Sequence, residues 1–240
     1  MNISVSGPKI LFEWGSFHIT ETVVNGWIIM AVIVLLCIWL THGLKLRNPS
    51  KKQIVAEKLV MMATNMVRET MGEKYIGFAP YIGTLFAFSV LGSLSSLLGM
   101  RPMTGDLNTT LGWALVTFVL VQGNNIRING LGGWLKSFVQ PVAVMLPMNI
   151  IGEIANPISM AFRHFGNIAS GIVISTLIYS ALGALSSTIL SFIPVEFINS
   201  IPILQVGLPA MLSIYFDLFT GFLQAYIFCM LTMSFVSGVE

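Results

Sequence analysis

Charge is scarce in this sequence. Only 9% of its 240 residues are Asp, Glu, Lys or Arg, against about 25% in a typical soluble domain, so the chain cannot clothe a water-facing surface. Its net charge of +2 is too small to suggest a nucleic-acid partner. Only two cysteines occur, Cys37 and Cys229, each inside an apolar run and without metal-ligand spacing; they read as small buried or lipid-facing side chains. The three histidines, His18, His42 and His164, form no His-Glu-x-x-His pattern, which argues against a zinc protease. No Gly-x-Ser-Gly stands at a helix start beside a histidine, which argues against an intramembrane serine protease. No internal repeat is evident, and this weakens an inverted-repeat transporter. The N-terminus lacks a basic region followed at once by an apolar run and a small-residue cleavage site, so the first span is expected to stay in the mature chain.

What the sequence does have is apolar length: 55% of its residues are hydrophobic. Residues 23–44 form a first run of about 20 residues, enough for one helical span. It ends in His42, Lys45, Arg47, Lys51 and Lys52, a basic cluster that marks the cytoplasmic side and puts the N-terminal segment, 1–22, outside. Residues 50–74 are different in kind. Ser50 followed by Gln53 reads as a capping box, and Glu57, Lys58, Asn65, Arg68 and Glu69 interrupt Ile54, Leu59, Met62, Met66 and Val67. That mixture predicts an amphipathic helix lying on the cytoplasmic interface.

Residues 75–127 read as a membrane hairpin, with spans at 80–98 and 108–122. Its turn is Arg101-Pro102-Met103-Thr104-Gly105-Asp106, and its return lands near Arg127 and Lys136. Residues 137–240 carry few charges beyond Glu153, Arg163, Glu196, Asp217 and the terminal Glu240. They are expected to form two long spans joined by an outside turn at 194–202. The stretch 141–192 is too long for one upright span, so it is either steeply tilted or broken near Pro157. The fold class is therefore an all-α integral membrane protein with five spans and one interfacial helix.

Arg163 is the sharpest chemical signal. A guanidinium at the centre of a membrane helix costs about 2.5–3.5 kcal/mol even on the lenient insertion scale. Asn156, Ser159, Arg163, Asn167 and Ser170 recur at helical spacing and share one face, and Gly166, Ala169 and Gly171 nearby would let another helix approach closely. Two readings stand side by side: a functional charge, or a structural arginine paired with Glu153 or Asp217 inside the bundle.

The segment Asn156-Pro157-Ile158-Ser159-Met160-Ala161-Phe162-Arg163-His164-Phe165-Gly166-Asn167 resembles the signature around the essential arginine of subunit a of F-type ATP synthases. Residues 223–233, with Gln224, resemble the last helix of that family, whose glutamine faces the arginine. Thr104-Gly105-Asp106-Leu107-Asn108-Thr109-Thr110-Leu111 is similar to the turn before its fourth helix. The three matches occur in the expected order and cover the chain from about residue 50 to its end.

The resemblance implies a membrane stator subunit rather than an enzyme in its own right. It would be pressed against a rotating c-ring of hairpin subunits, held by peripheral-stalk b subunits, and need no cofactor. The site would be Arg163, with Asn167 and Gln224 beside it. Asp106 and Asn108 become candidates for an outer channel entrance. The family's ion selectivity lies largely with the ring carboxylate, on another chain. Two positions depart from the family pattern. His164 stands where leucine is usual and, turned about 100° from Arg163, is expected to be peripheral. Ile172 stands nine residues after Arg163, where many relatives have Glu or His. Asp217, seven residues before Gln224, is expected to supply the missing outer carboxylate. Glu153, ten residues before Arg163, is expected to line the cytoplasmic half-channel or to sit solvated at the interface. A stand-alone ion carrier or channel is the alternative function. The implied location is a bacterial cytoplasmic membrane with the C-terminus inside.

Cysteines introduced at Glu57 and Arg68 are expected to react from the cytoplasmic side with a membrane-impermeant reagent. Reaction only from outside would overturn both the interfacial helix and the orientation.

Overall fold

In the computed structural model, residues 8–14, 17–45, 48–140, 142–190 and 214–238 are described. The expected turn at 194–202, together with Arg47, Ser213 and Glu240, lies outside them. Among the described residues the structure is helical apart from a short antiparallel hairpin, β1 (Ile10–Trp14) and β2 (Phe17–Thr20), inside the segment read only as an outer N-terminal stretch. Six α-helices follow: α1 (Glu21–Thr41), α2 (Lys51–Met71), α3 (Ala79–Leu94), α4 (Leu107–Val139), α5 (Leu146–Leu190) and α6 (Gly221–Ser237). A π-helical segment, Ile214–Thr220, leads into α6.

Among the described residues, four stretches are long and apolar enough to cross a membrane: Glu21–Thr41, Glu73–Leu98, Ala143–Ser186 and Asp217–Ser237. The fifth expected span, α4, has the length but a more polar composition. Two of its polar groups, Thr117 and Asn124, find partners inside the bundle, as hydrocarbon demands. Thr117 meets the Thr232 hydroxyl at 3.2 Å, and Asn124 donates to the Val236 carbonyl at 2.8 Å and to the Tyr75 hydroxyl at 3.2 Å. The helix does not end at residue 122. It continues to Gly130, whose φ of 69° is a left-handed conformation that glycine adopts freely, and a short second segment folds back beyond it.

Ser50 caps α2 by accepting from the Gln53 N–H at 3.3 Å, but the reciprocal half of the capping box is absent. The Gln53 side chain instead bonds both backbone groups of Lys45 and the Glu57 carboxylate, so it ties the α1–α2 connection rather than the first turn. Outside Gln53, Val67 and Met71, α2 buries no residue, and its Ile54, Leu59 and Met62 are exposed.

The core lies between α3, α4, α5 and α6, around Ile82, Ala114, Met160, Phe228 and Met233. Only the first turns of α1 join it. Thr22 donates to Asp106 at 2.7 Å and Asn25 to the Arg101 carbonyl at 2.9 Å, while Met30 to Trp39 are mostly exposed apolar surface suited to lipid. Gly221 brings α6 against α3: a Cβ there would lie 2.7 Å from the Ser93 Cβ. Gly221→Val is expected to destabilise the fold by about 1–3 kcal/mol, the usual cost of overpacking, seen as a lower thermal midpoint of the detergent-solubilised subunit. Adding Ser93→Gly should recover part of the loss. An unchanged midpoint in Gly221→Val would refute the close approach.

Candidate functional site

The site is built on α5, a helix of 45 residues and so about 68 Å long at 1.5 Å per residue, far more than the roughly 30 Å of a hydrocarbon core. Of the two arrangements open for this stretch, the helix is unbroken: it runs continuously through Pro157. Proline lacks the N–H that would bond back four residues, so the Glu153 carbonyl loses its helical partner at that point.

Successive residues on α5 point about 100° apart, and 163 and 164 fall on opposite sides of the boundary between bundle and surroundings. Arg163 is exposed, together with Asn156, Ser159, Phe162 and Ser170, and Asn167 is half-buried on the same face. A Cβ on Gly166 would meet nothing within 4 Å. Among the described residues the two ion pairs are Glu13–His18 and Arg68–Glu73, so Arg163 pairs with neither Glu153 nor Asp217, and the reading of a structural ion pair inside the bundle is not supported. Gly171, one of the small residues read as allowing a close helix approach, is buried.

His164 turns away from Arg163 and into the core. It is 1% exposed, edge-on to Phe228 at 5.4 Å and to Trp113 at 5.9 Å, with Nε2 3.5 Å from the Ser89 hydroxyl. Its turn away from Arg163 was foreseen; that this turn leads into the core was not, because sequence does not say which side of α5 the bundle occupies. The His164–Phe228 contact also sets the register of α6. Phe228 meets His164, Asp217 ahead of α6 shares a cleft with Ile172, and Ser234 lines a cavity with Met160, so α6 runs antiparallel to α5. Gln224, one turn from Phe228, is buried and falls level with residues 167–168, next to the Arg163 turn.

Two clefts flank that level. Toward the α2 end lies a cavity of about 550 Å³, whose polar lining includes Asn125, Asn129, Asn149, Glu153 and Asn156. Glu153 is half-buried there and accepts from the Gln122 amide at 2.7 Å, and Gln122 accepts in turn from the Trp134 indole N–H at 2.7 Å. Neither Gln122 nor Trp134 was singled out from sequence, because a glutamine and a tryptophan twelve residues apart carry no sign that a kink will join them.

Toward the hairpin end, Asp217 sits with Ser93, Ser96, Pro102, Gly171 and Ile172 around a small cleft of about 10 Å³, room for about one water. The seven-residue spacing to Gln224 does not correspond to two α-helical turns here, because Asp217 lies in the π-helical segment, where the Thr220 hydroxyl bonds the Tyr215 carbonyl. Packing against α3 and α5, rather than helical periodicity, brings it opposite Ile172. Asp106 has a different environment. One carboxylate oxygen caps α4 through the Asn108 N–H at 3.0 Å and the other accepts from Thr22, so both are engaged in holding the hairpin end together. The Asn108 side chain is exposed.

A family model described as ATP synthase A chain matches residues 23–237. The chain is 33% identical to ATP synthase subunit a 2 of Acaryochloris marina, over 96% of this chain and 90% of the relative. It is 30% identical to the sodium ion specific ATP synthase subunit a of Propionigenium modestum, over 98% and 85%, and 31% identical to ATP synthase subunit a of Moorella thermoacetica, over 96% and 95%.

Proposed function

The chain belongs to the ATP synthase A chain family, the ion-translocating membrane subunit of that complex and not a catalyst by itself, and from that membership we propose that Arg163 is the fixed charge of a rotary ion path. It is a multi-pass membrane protein that works within the complex. In the mechanism proposed, a c-ring of hairpin subunits passes along the open face of α5, and each ring carboxylate releases its ion on meeting Arg163. The observation that carries this reading is an exposed guanidinium on a face of small and polar residues, without an acidic partner among the described residues. A charge that costly needs an anion to meet it, and the open space above Gly166 supports one arriving from another chain.

The magnitudes suit a moving contact. Unit charges 4 Å apart attract by about 4 kcal/mol at an effective dielectric of 20, enough to favour the ionised ring carboxylate without locking the rotor. Arginine keeps its charge when partly desolvated, whereas lysine gives up its proton more readily. The cavity at Glu153 serves as the inner half-channel and the cleft at Asp217 as the outer one. Arg163, with Asn167 and Gln224 at its level, bars direct leakage between them. Both carboxylate oxygens of Asp106 being engaged favours a structural part for it near the outer end, leaving exposed Asn108 as the polar group at that mouth. Peripheral-stalk b subunits would hold the chain against torque. A bacterial cytoplasmic membrane, with the N-terminus outside and the α2 end at the cytoplasm, accords with the basic residues at 45, 51 and 52 and with bacterial relatives. A stand-alone carrier would need its own counter-charge for Arg163, which is what the ring supplies in the present reading.

Arg163→Ala is expected to abolish ATP-driven cation pumping and ATP synthesis by the complex in resealed vesicles while the subunit still assembles. Arg163→Lys should also be strongly impaired, because a lysine lacks the planar fork. Ordinary pumping by the alanine variant would sink the proposal.

Asp217→Asn is expected to slow cation flux with assembly intact. Ile172→Glu in that background should partly restore it, since both positions line one cleft. Flux unchanged by Asp217→Asn across pH would leave Asp217 a structural residue.

A further inference from the structure

Glu153 is held by a two-step hydrogen-bond chain whose orientation is dictated by its last member. An indole has one donor and no acceptor. The Trp134 N–H, 2.7 Å from Gln122, can only be met by the Gln122 carbonyl oxygen, and this forces the Gln122 NH₂ toward Glu153, where it donates to Oε2 at 2.7 Å. Without the indole the amide could turn over and present its oxygen to a carboxylate, which would repel it. Trp134 reaches this position because Gly130, at φ 69°, folds the end of α4 back over its own body. The folded-back segment is fastened to α5 by the Asn149 amide, which donates to the Phe138 and Gln140 carbonyls, each at 2.9 Å, and within the segment Phe138 packs edge-on against Trp134 at 5.2 Å. One carboxylate oxygen is thereby engaged, and the other, Oε1, remains for water or a cation in the 550 Å³ cavity that Glu153 lines.

We propose that Gln122 and Trp134 are positioning residues that orient the Glu153 carboxylate toward the inner cavity. The inference rests on the assignment of Glu153 to the inner half-channel. The two residues do not touch the ion; they act through Glu153, by restricting a flexible side chain to the rotamer that offers Oε1 to the cavity.

The test uses the whole complex in inverted vesicles, with ATP-driven uptake followed against the concentration of cation on the α2 side, protons and sodium in turn. A hydrogen bond to a charged group contributes about 1.5–3 kcal/mol. Gln122→Leu and Trp134→Phe are therefore expected to raise the half-saturating cation concentration about tenfold while the maximal rate stays within about twofold. Glu153→Gln should raise it at least as much, and adding Gln122→Leu to Glu153→Gln should change it no further, as two residues acting through one contact must behave. Additive effects of Gln122→Leu and Glu153→Gln would overturn the inference, as would unchanged half-saturation in both Gln122→Leu and Trp134→Phe when Glu153→Gln is impaired. Unchanged half-saturation in Glu153→Gln alone would instead remove the half-channel assignment beneath it.

Discussion

Hydrocarbon offers no hydrogen bonds, so each polar group this chain carries into the membrane must find its partner in the protein or face a polar cleft. The described bundle meets that demand almost wherever it places a polar side chain. Thr117 meets Thr232, Asn124 reaches the end of α6, Ser93 meets Thr104, and Glu153 meets Gln122. These contacts are also what hold α3, α4, α5 and α6 together, since lipid provides little hydrophobic drive between helices. Arg163 stands apart. The same rule that pairs the other groups makes its open position on α5 costly.

The rotation of α5 about its own axis is the variable on which this depends. His164, Met160, Ala161 and Ile168 are buried on one side, and Arg163 projects from the other. A shift of one residue in how the helix is seated would put the guanidinium where the imidazole now packs. The box formed by Trp113, Phe228 and Ser89 around His164 therefore fixes the outward face of Arg163 from behind. Its antiparallel register with α6 then sets the two clefts at either end, one with Glu153 and one with Asp217, with the arginine level between them. The outward arginine and the placing of both clefts follow from one helix–helix contact.

Much of this was legible in the sequence. Low charge with long apolar runs leaves lipid as the only adequate solvent, because too few ionisable groups exist to hydrate a surface. Arg163 was conspicuous because its cost in a membrane is large whatever surrounds it, and its polar stripe followed from 3.6-residue periodicity alone. Ser50 as the start of α2 and Gly105–Asp106 as the start of α4 are local chemistry, decided within a few residues. What only the tertiary structure decided depends on which side of a helix meets its neighbours. His164 turned out to be core, Gly171 buried, and Asp106 taken up by Thr22 and by its own cap, because burial belongs to the packed bundle and not to the residue. Residues 107–139 hid a kink, since Gly130 is one glycine among 22 and only its φ singles it out. The Trp134–Gln122–Glu153 chain joins positions across that kink and across two helices, and the π-helical winding at Asp217 breaks the periodicity from which its face was inferred. Local composition determined the solvent, the spans and the costly charge; the seating of one helix against another determined which polar groups meet and which are left open, because that choice is made between surfaces far apart in the chain.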